Sequence, residues 1–157
     1  MQGKIGKLHE IKVVVEKAKK KGAKVVLTNG CFDLLHLGHL HLLREAKKLG
    51  DLLVVALNSD QSVRAIKGPD RPILAEAARA ELIAALEMVD YVTLFDEADP
   101  RNVVKELRPH VLVKGADWAG GNVVGKELVE KEGGQVALVP YLEGYSTTEI
   151  IERIRKR

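Results

Sequence analysis

Lys24-Val-Val-Leu-Thr28-Asn-Gly-Cys-Phe-Asp-Leu-Leu-His36-Leu-Gly-His39 joins a short apolar run to a glycine turn and then to two histidines three residues apart. The run is too short for a helix and is rich in β-branched residues, so it reads as a strand buried on both faces. Residues at i and i+3 share one face of a helix, which places both imidazoles at the start of the helix that follows. A strand, a tight turn and a helix in that order form a corner whose exposed amides and positive dipole end favour phosphate. Imidazoles there are able to donate hydrogen bonds to a phosphate that gains charge during displacement, which suits phosphoryl or nucleotidyl transfer. Gly30 lets the strand turn sharply, and Gly38 lets a ligand approach the backbone closely.

The same alternation recurs along the chain. Further apolar runs lie at Leu52–Leu57, Tyr91–Leu94, Val111–Val113 and Gln135–Val139, with helices expected near 37–48, 75–88, 100–107, 124–132 and 147–155. Asp99 and Pro100 supply an N-cap and a first helical residue for the third of these, and Pro109 stops it. Alternating strands and helices imply parallel strands joined by right-handed crossovers, hence a doubly wound, five-stranded parallel α/β sheet. No Pro/Gly/Ser-rich linker or internal repeat divides the chain, so residues 1–157 read as a single domain, with an N-terminal helix in 1–22 and a core over 24–155. In such sheets ligands bind beyond the carboxyl ends of the strands, which directs attention to the turns at 29–36, 58–72, 114–123 and 140–147.

Composition narrows the function classes. The 157 residues are 46% hydrophobic and 30% charged, as in a soluble globular protein. One cysteine, Cys31, cannot form an internal disulfide, and the first residues lack a signal peptide's apolar stretch, so a cytoplasmic location is expected. No run reaches the length of a membrane span. The net charge of +3 is small, and Lys19-Lys20-Lys21 lies opposite the apolar stripe Ile11, Val14, Val15 and Ala18. That run reads as a wet helix face, not a nucleic-acid surface, because no aromatics interleave it.

Three of the turns carry candidates by residue type. Arg64 and Lys67 stand at helical spacing before Gly68, cations suited to a phosphate. Ser146 and Glu149 form a capping box, and the hydroxyl-rich start Ser146-Thr147-Thr148 is also a phosphate cradle. A zinc site from Cys31, His36, His39 and His41 is the competing reading of the first turn, but it lacks paired cysteines or an HExxH spacing. Gly120-Gly-Asn-Val-Val-Gly125-Lys126 mimics a phosphate-binding P-loop, except that Glu127 replaces the magnesium-binding Ser or Thr.

The segment TNGCFDLLHLGH resembles the signature of the cytidylyltransferase-like branch of the HxGH nucleotidyltransferases. NSDxSVRxxKGxxRP, KGxD and EGYSTT are similar to segments of the adenylyltransferases in that branch that act on heptose 1-phosphate, either free-standing or fused behind a sugar kinase. The cytidylyltransferases for glycerol phosphate carry an Arg-Thr pair before the last motif, where Leu142 and Glu143 stand here. The resemblance spans about Lys7 to Arg153 and implies a Rossmann-like nucleotidyltransferase fold, ATP as substrate, Mg²⁺ with it, no metal bound by the protein alone, and a tendency to pair as a homodimer. It also implies a sugar 1-phosphate acceptor supplied by a separate sugar kinase. On that resemblance His36, His39 and Lys67 stabilise the reacting phosphates. Thr28, Asn29, Gly30, Phe32, Gly38, Lys114, Gly115, Asp117, Ser146, Thr147 and Thr148 hold the nucleotide. Asp33, Asn58, Asp60, Arg64 and Arg71 face the acceptor, and Trp118 stacks on a base or packs its loop. Sister enzymes using CTP, GTP, FMN or glycerol 3-phosphate share these features, and a non-catalytic nucleotide-binding module or a zinc hydrolase fits less of the chain.

Overall fold

The computed structural model describes residues 1, 3–116 and 122–157. Its strands are β1 (Val25–Gly30), β2 (Leu52–Asn58), β3 (Tyr91–Phe95), β4 (Val111–Ala116) and β5 (Gln135–Pro140). Its helices are α1 (Leu8–Lys20), α2 (Leu37–Lys47), α3 (Asp60–Lys67), α4 (Glu76–Ala84), α5 (Arg101–Leu107), α6 (Lys126–Lys131) and α7 (Thr147–Arg155). All five strands are parallel, in the order β3-β2-β1-β4-β5, so the sheet is doubly wound as the alternation predicts.

Residues of β1, β2 and β4 are buried on both faces, which explains their unbroken Val and Leu. One face packs Val26, Leu53, Val55 and Leu57 with Leu43 and Ile83. The other packs Leu27, Val54 and Leu112 with Ile11, Val15, Val103 and Leu107. The N-terminal helix α1 thus enters the core through Ile11 and Val15, two of the four residues in its predicted stripe. Lys20 and Lys21 are exposed, whereas Lys19 departs from the wet face expected of it. Its Nζ donates to the carbonyls of Leu107 and Arg108, both at 2.7 Å, closing the open end of α5. At the other end of α5, the Asp99 carboxylate accepts from the Arg101 amide at 3.0 Å.

α3 is absent from the sequence-based helices. It occupies a turn that the pattern leaves irregular, since only Val63 and Ser62 of its residues are buried. Ser59 caps it by accepting from Ser62 N at 3.2 Å. The last helix is the converse case: α7 forms as predicted, with Ser146 Oγ accepting from Glu149 N at 3.1 Å, yet buries no residue. Its stability is therefore local. Ser146→Ala should cost about 1 kcal/mol of helix, read as roughly fivefold faster amide exchange at the start of α7 with an unchanged urea midpoint for the whole protein.

What positions the site is a divergence in register. β1 pairs β4 only as far as Thr28 with Val113, then stays with β2 to Gly30, while β4 stays with β5 to Ala116. The two central strands part at Asn29 and Lys114, where the strand order reverses. A crevice opens there.

Candidate active site

The crevice widens into a cleft of about 1030 Å³ lined from the carboxyl ends of β1, β2, β4 and β5. Asn29, Gly30, Phe32, Asp33, His36, Gly38, His39, Asn58, Lys67, Arg71, Lys114, Gly115, Ser146, Thr147 and Thr148 all border it. Thr28, Asp60 and Arg64 do not. Asp117 and Trp118 lie outside the described residues, as do Gly120 and Gly121 of the P-loop mimic, and Lys126 merely begins the short helix α6.

The imidazoles of His36 and His39 are stacked, with ring centroids 3.7 Å apart and planes 25° from parallel. His36 is the N-cap of α2, and its Nδ1 accepts from Gly38 N at 3.1 Å. His39 Nδ1 accepts from His36 N at 3.3 Å. The two rings therefore form a capping box in which both Nδ1 atoms are acceptors. A neutral imidazole with an acceptor at Nδ1 carries its hydrogen on Nε2, so each ring is left with one donor. Burial pushes the His36 ring below its usual range, against the opposing pull of Glu149. Burial and then the neighbouring His36 push His39 down to about 4. Both are neutral Nε2–H donors near neutral pH.

The turn before them is formed differently from the sequence expectation. Gly30 is the last residue of β1, and the left-handed residues are Phe32 (φ 48°) and Leu34 (φ 49°). A side chain at Gly30 would meet the Phe32 ring at 3.0 Å, so its role is to seat that ring beneath the turn. The Phe32 ring in turn packs at 5.2 Å from His39. Strain in two non-glycine residues beside a pair of histidines fits a site held by its surroundings. Gly38 also differs: a Cβ there would meet His36 Nδ1 at 3.0 Å and the Tyr145 carbonyl at 3.0 Å. The space is taken by the protein itself, which lets the first and last turns pack together.

Thr147 completes that junction by donating from Oγ1 to the Asp33 carbonyl at 2.6 Å. The N-termini of α2 and α7 thus open on one cleft, where their dipoles and amides favour an anion. Across the crevice Lys114 is half-buried, and burial lowers its pKa while Cys31 opposes the shift. Its Nζ reaches Asn29 Oδ1 at 3.4 Å and no carboxylate among the described residues. A partly dehydrated cation with one weak neutral partner attracts phosphate. Lys114→Gln should weaken nucleotide binding about tenfold, the worth of roughly 1.5 kcal/mol for a charge-assisted bond, measured as Kd by calorimetry.

Several expected contacts are consumed by the fold. Asp33 is 2% exposed; its Oδ2 accepts from Ile73 N at 2.6 Å and its Oδ1 from Leu74 N at 2.9 Å. Its carboxylate clamps a loop instead of waiting for substrate. Thr28 is fully buried and donates to the Val113 carbonyl at 2.9 Å, inside the sheet. Asn58 is bound to Ser62 Oγ at 3.0 Å, and Asp60 Oδ1 accepts from Arg79 at 2.9 Å. Arg64 is exposed on α3, away from the cleft. Lys67 and Arg71 remain as cations at the cleft's edge. Among the described residues no three His, Cys, Asp or Glu side chains converge as a metal site.

Sequence reasoning missed Arg79, Tyr141 and Tyr145. Arg79 shares the buried stripe of α4 with Ala80 and Ile83, so a charge on a core face was the available signal. Tyr141 is 70% exposed at the cleft wall, and a Cβ on Gly115 would touch its ring at 2.9 Å. Nothing in the local pattern marks it.

A family model described as cytidylyltransferase-like matches residues 27–153. The chain is 53% identical over 152 residues to the bifunctional protein HldE of Geotalea uraniireducens, and 50% identical over 153 residues to that of Geobacter sulfurreducens. These matches cover 97% and 98% of the chain but 31% of each relative, so the chain spans about a third of their length. Among solved structures, the lipopolysaccharide core biosynthesis protein of Thermoplasma volcanium superposes with a TM-score of 0.64 at 36% identity, over 80% of this chain and all of that one. A pantoate–β-alanine ligase of Francisella tularensis, complexed with β-γ ATP and β-alanine, superposes with a TM-score of 0.58 over 98% of this chain and 78% of that one. At 14% identity it shares the fold alone.

Proposed function

The chain belongs to the cytidylyltransferase-like family, and from that premise we propose that it transfers AMP from ATP to a heptose 1-phosphate, releasing pyrophosphate. The observation that carries the reading is the stacked histidine pair, with both Nδ1 atoms engaged by backbone, at the point where β1 and β4 part. A nucleotide's phosphates bind between the N-termini of α2 and α7. The acceptor's anomeric phosphate oxygen attacks the α-phosphorus, and the bond to the pyrophosphate oxygen breaks. His36 and His39 donate from Nε2 to oxygens that gain charge in that displacement. No proton leaves the ring, so the pair works as fixed donors. Lys114 balances charge on the nucleotide side and Lys67 with Arg71 on the acceptor side.

The sugar preference is supported by the resemblance to the heptose 1-phosphate adenylyltransferases and by Leu142 and Glu143, where the glycerol phosphate enzymes carry an Arg-Thr pair. Magnesium fits the site as a companion of the triphosphate: the Asp33 carboxylate is spent on amides, so phosphate oxygens and water would supply its ligands, and it would offset their charge. A phosphorylating activity must supply the sugar 1-phosphate, which agrees with relatives that are bifunctional and about three times longer. The reading places the enzyme in the cytoplasm, where ATP is made, as a homodimer acting on small molecules. No helix among the described residues is long and apolar enough to cross a membrane.

The test is pyrophosphate release with each of the four nucleoside triphosphates against heptose 1-phosphate, glycerol 3-phosphate and FMN. The expected result is turnover with ATP and heptose 1-phosphate above every other pair by at least tenfold. A preference for CTP, or nucleotide binding without pyrophosphate under every acceptor, would sink the assignment.

A further inference from the structure

Arg79 is the largest side chain among the described residues that solvent does not reach. Taking a guanidinium out of water costs several kcal/mol, and an apolar residue of similar volume is often as stable. Its burial therefore calls for a geometric reason. Every part of the group is used: Nε donates to the Leu74 carbonyl at 3.0 Å, and Nη1 to the carbonyls of Cys31 at 2.7 Å and Asn58 at 2.8 Å. Nη2 pairs with Asp60 Oδ1 at 2.9 Å.

Those acceptors are not scattered. Cys31 directly follows β1 and Asn58 ends β2, while Asp60 and Leu74 are the two ends of the excursion that carries Lys67 and Arg71. The arm leaves one guanidinium and returns to it. Asp33 grips the same return point from the other side, taking the amides of Ile73 and Leu74, so Leu74 is held at its N–H by Asp33 and at its carbonyl by Arg79. Asp33 also stands 3.7 Å from Arg71 Nε, which is buried and makes no hydrogen bond. Arg71 is thus oriented by charge at the cleft's edge with a donor unspent, whereas Arg79 does not border the cleft at all.

We propose that Arg79 is a positioning residue for the acceptor phosphate: together with Asp33 it fixes the arm from Asp60 to Leu74 and so sets where Lys67 and Arg71 stand relative to the histidine pair. It governs binding of the sugar phosphate and not of ATP, whose contacts come from β1, β4 and α7. The inference rests on the proposed reading of Lys67 and Arg71 as the acceptor side.

Arg79→Lys keeps the charge but cannot serve all four acceptors from a planar fork. Three measurements follow: KM for heptose 1-phosphate, Kd for ATP by calorimetry without sugar, and amide exchange at Ile73 and Leu74. The expected result is a KM raised at least tenfold, an ATP Kd within twofold of the parent, and exchange at least tenfold faster at those two amides. Asp33→Asn, which weakens the grip on the same loop, should reproduce the pattern and carries the test if the arginine variant does not fold. The double variant should be no worse than the more impaired single one, because both act through one loop. An unchanged KM, or ATP and sugar-phosphate affinities falling by one common factor, overturns the proposal. Parent protein inert toward every sugar phosphate overturns the proposed activity instead. The clamp then stands if the two amides exchange faster in Arg79→Lys and falls if they do not.

Discussion

His39→Ala should lower kcat/KM by at least about a hundredfold, the loss seen when one donor to a transition-state oxyanion is removed. The substitution takes away two things at once, the Nε2 donor and the Nδ1 acceptor that caps His36 N. His39→Asn separates them. An asparagine amide reaches as far as the imidazole Nδ1 and not to Nε2, so its Oδ1 can accept from His36 N while the donor is lost. The expected result is that the asparagine variant is as inactive as the alanine variant but recovers most of its lost stability in urea. Activity near the parent level in His39→Asn would mean that the ring serves only to cap α2, and the mechanism proposed for the pair would fail. His36→Ala should be similarly inactive and less stable, because His36 is the N-cap itself and its loss also releases Gly38 N.

That the two histidines share a helix face was legible from their spacing, and the sheet from the recurrence of Val- and Leu-rich runs, because burial on both faces leaves no polar residue in β2 before Asn58. What spacing cannot carry is the state of a ring. The tautomer and the stacking of His36 on His39 follow from backbone amides that the turn presents, and that turn depends on Phe32 and Leu34 adopting left-handed angles that their residue types disfavour. Polar residues after a strand read as ligand contacts whenever the ligand is the only partner one can see in the sequence. Asp33, Asn58 and Asp60 show the limit of that reasoning. Each has a partner from more than one element away or from a helix turn, and Arg79, which is in contact with two of the three residues, is separated from Cys31 by 48 positions. α3 was lost for a related reason: a helix that rests on the sheet through Ser62 and Val63 alone shows too little apolar periodicity to be seen.

Acid should undo the site through the histidine pair in a defined window. In the unfolded chain His39 takes up a proton as the pH falls below about 6.5. In the folded protein burial and the charge of His36 hold it neutral down to about 4, with Asp33 pulling the other way. The unfolded state therefore binds more protons between those values, and stability must fall as the pH falls from about 6.5 to about 4. The contribution of the neutral ring is intact above that window and lost below it, by about 2 kcal/mol once solvent screening of the part-exposed ring is allowed for. His36 and His110, both also lowered by burial, add in the same direction. Protonation of either ring of the pair at Nδ1 removes an acceptor from the capping box, so the start of α2 loosens as charge enters. The acid limb of kcat/KM should accordingly lie well below 6.5 and fall by at least tenfold per pH unit once it begins. Urea unfolding at pH 7, 5.5 and 4.5, run beside the pH–rate profile, measures both effects, and His39→Asn isolates the residue responsible by flattening part of the stability loss. A rate limb centred at 6.5, with no extra stability lost below it, would show that the rings titrate as free surface histidines and are not the neutral, backbone-anchored donors that this site requires.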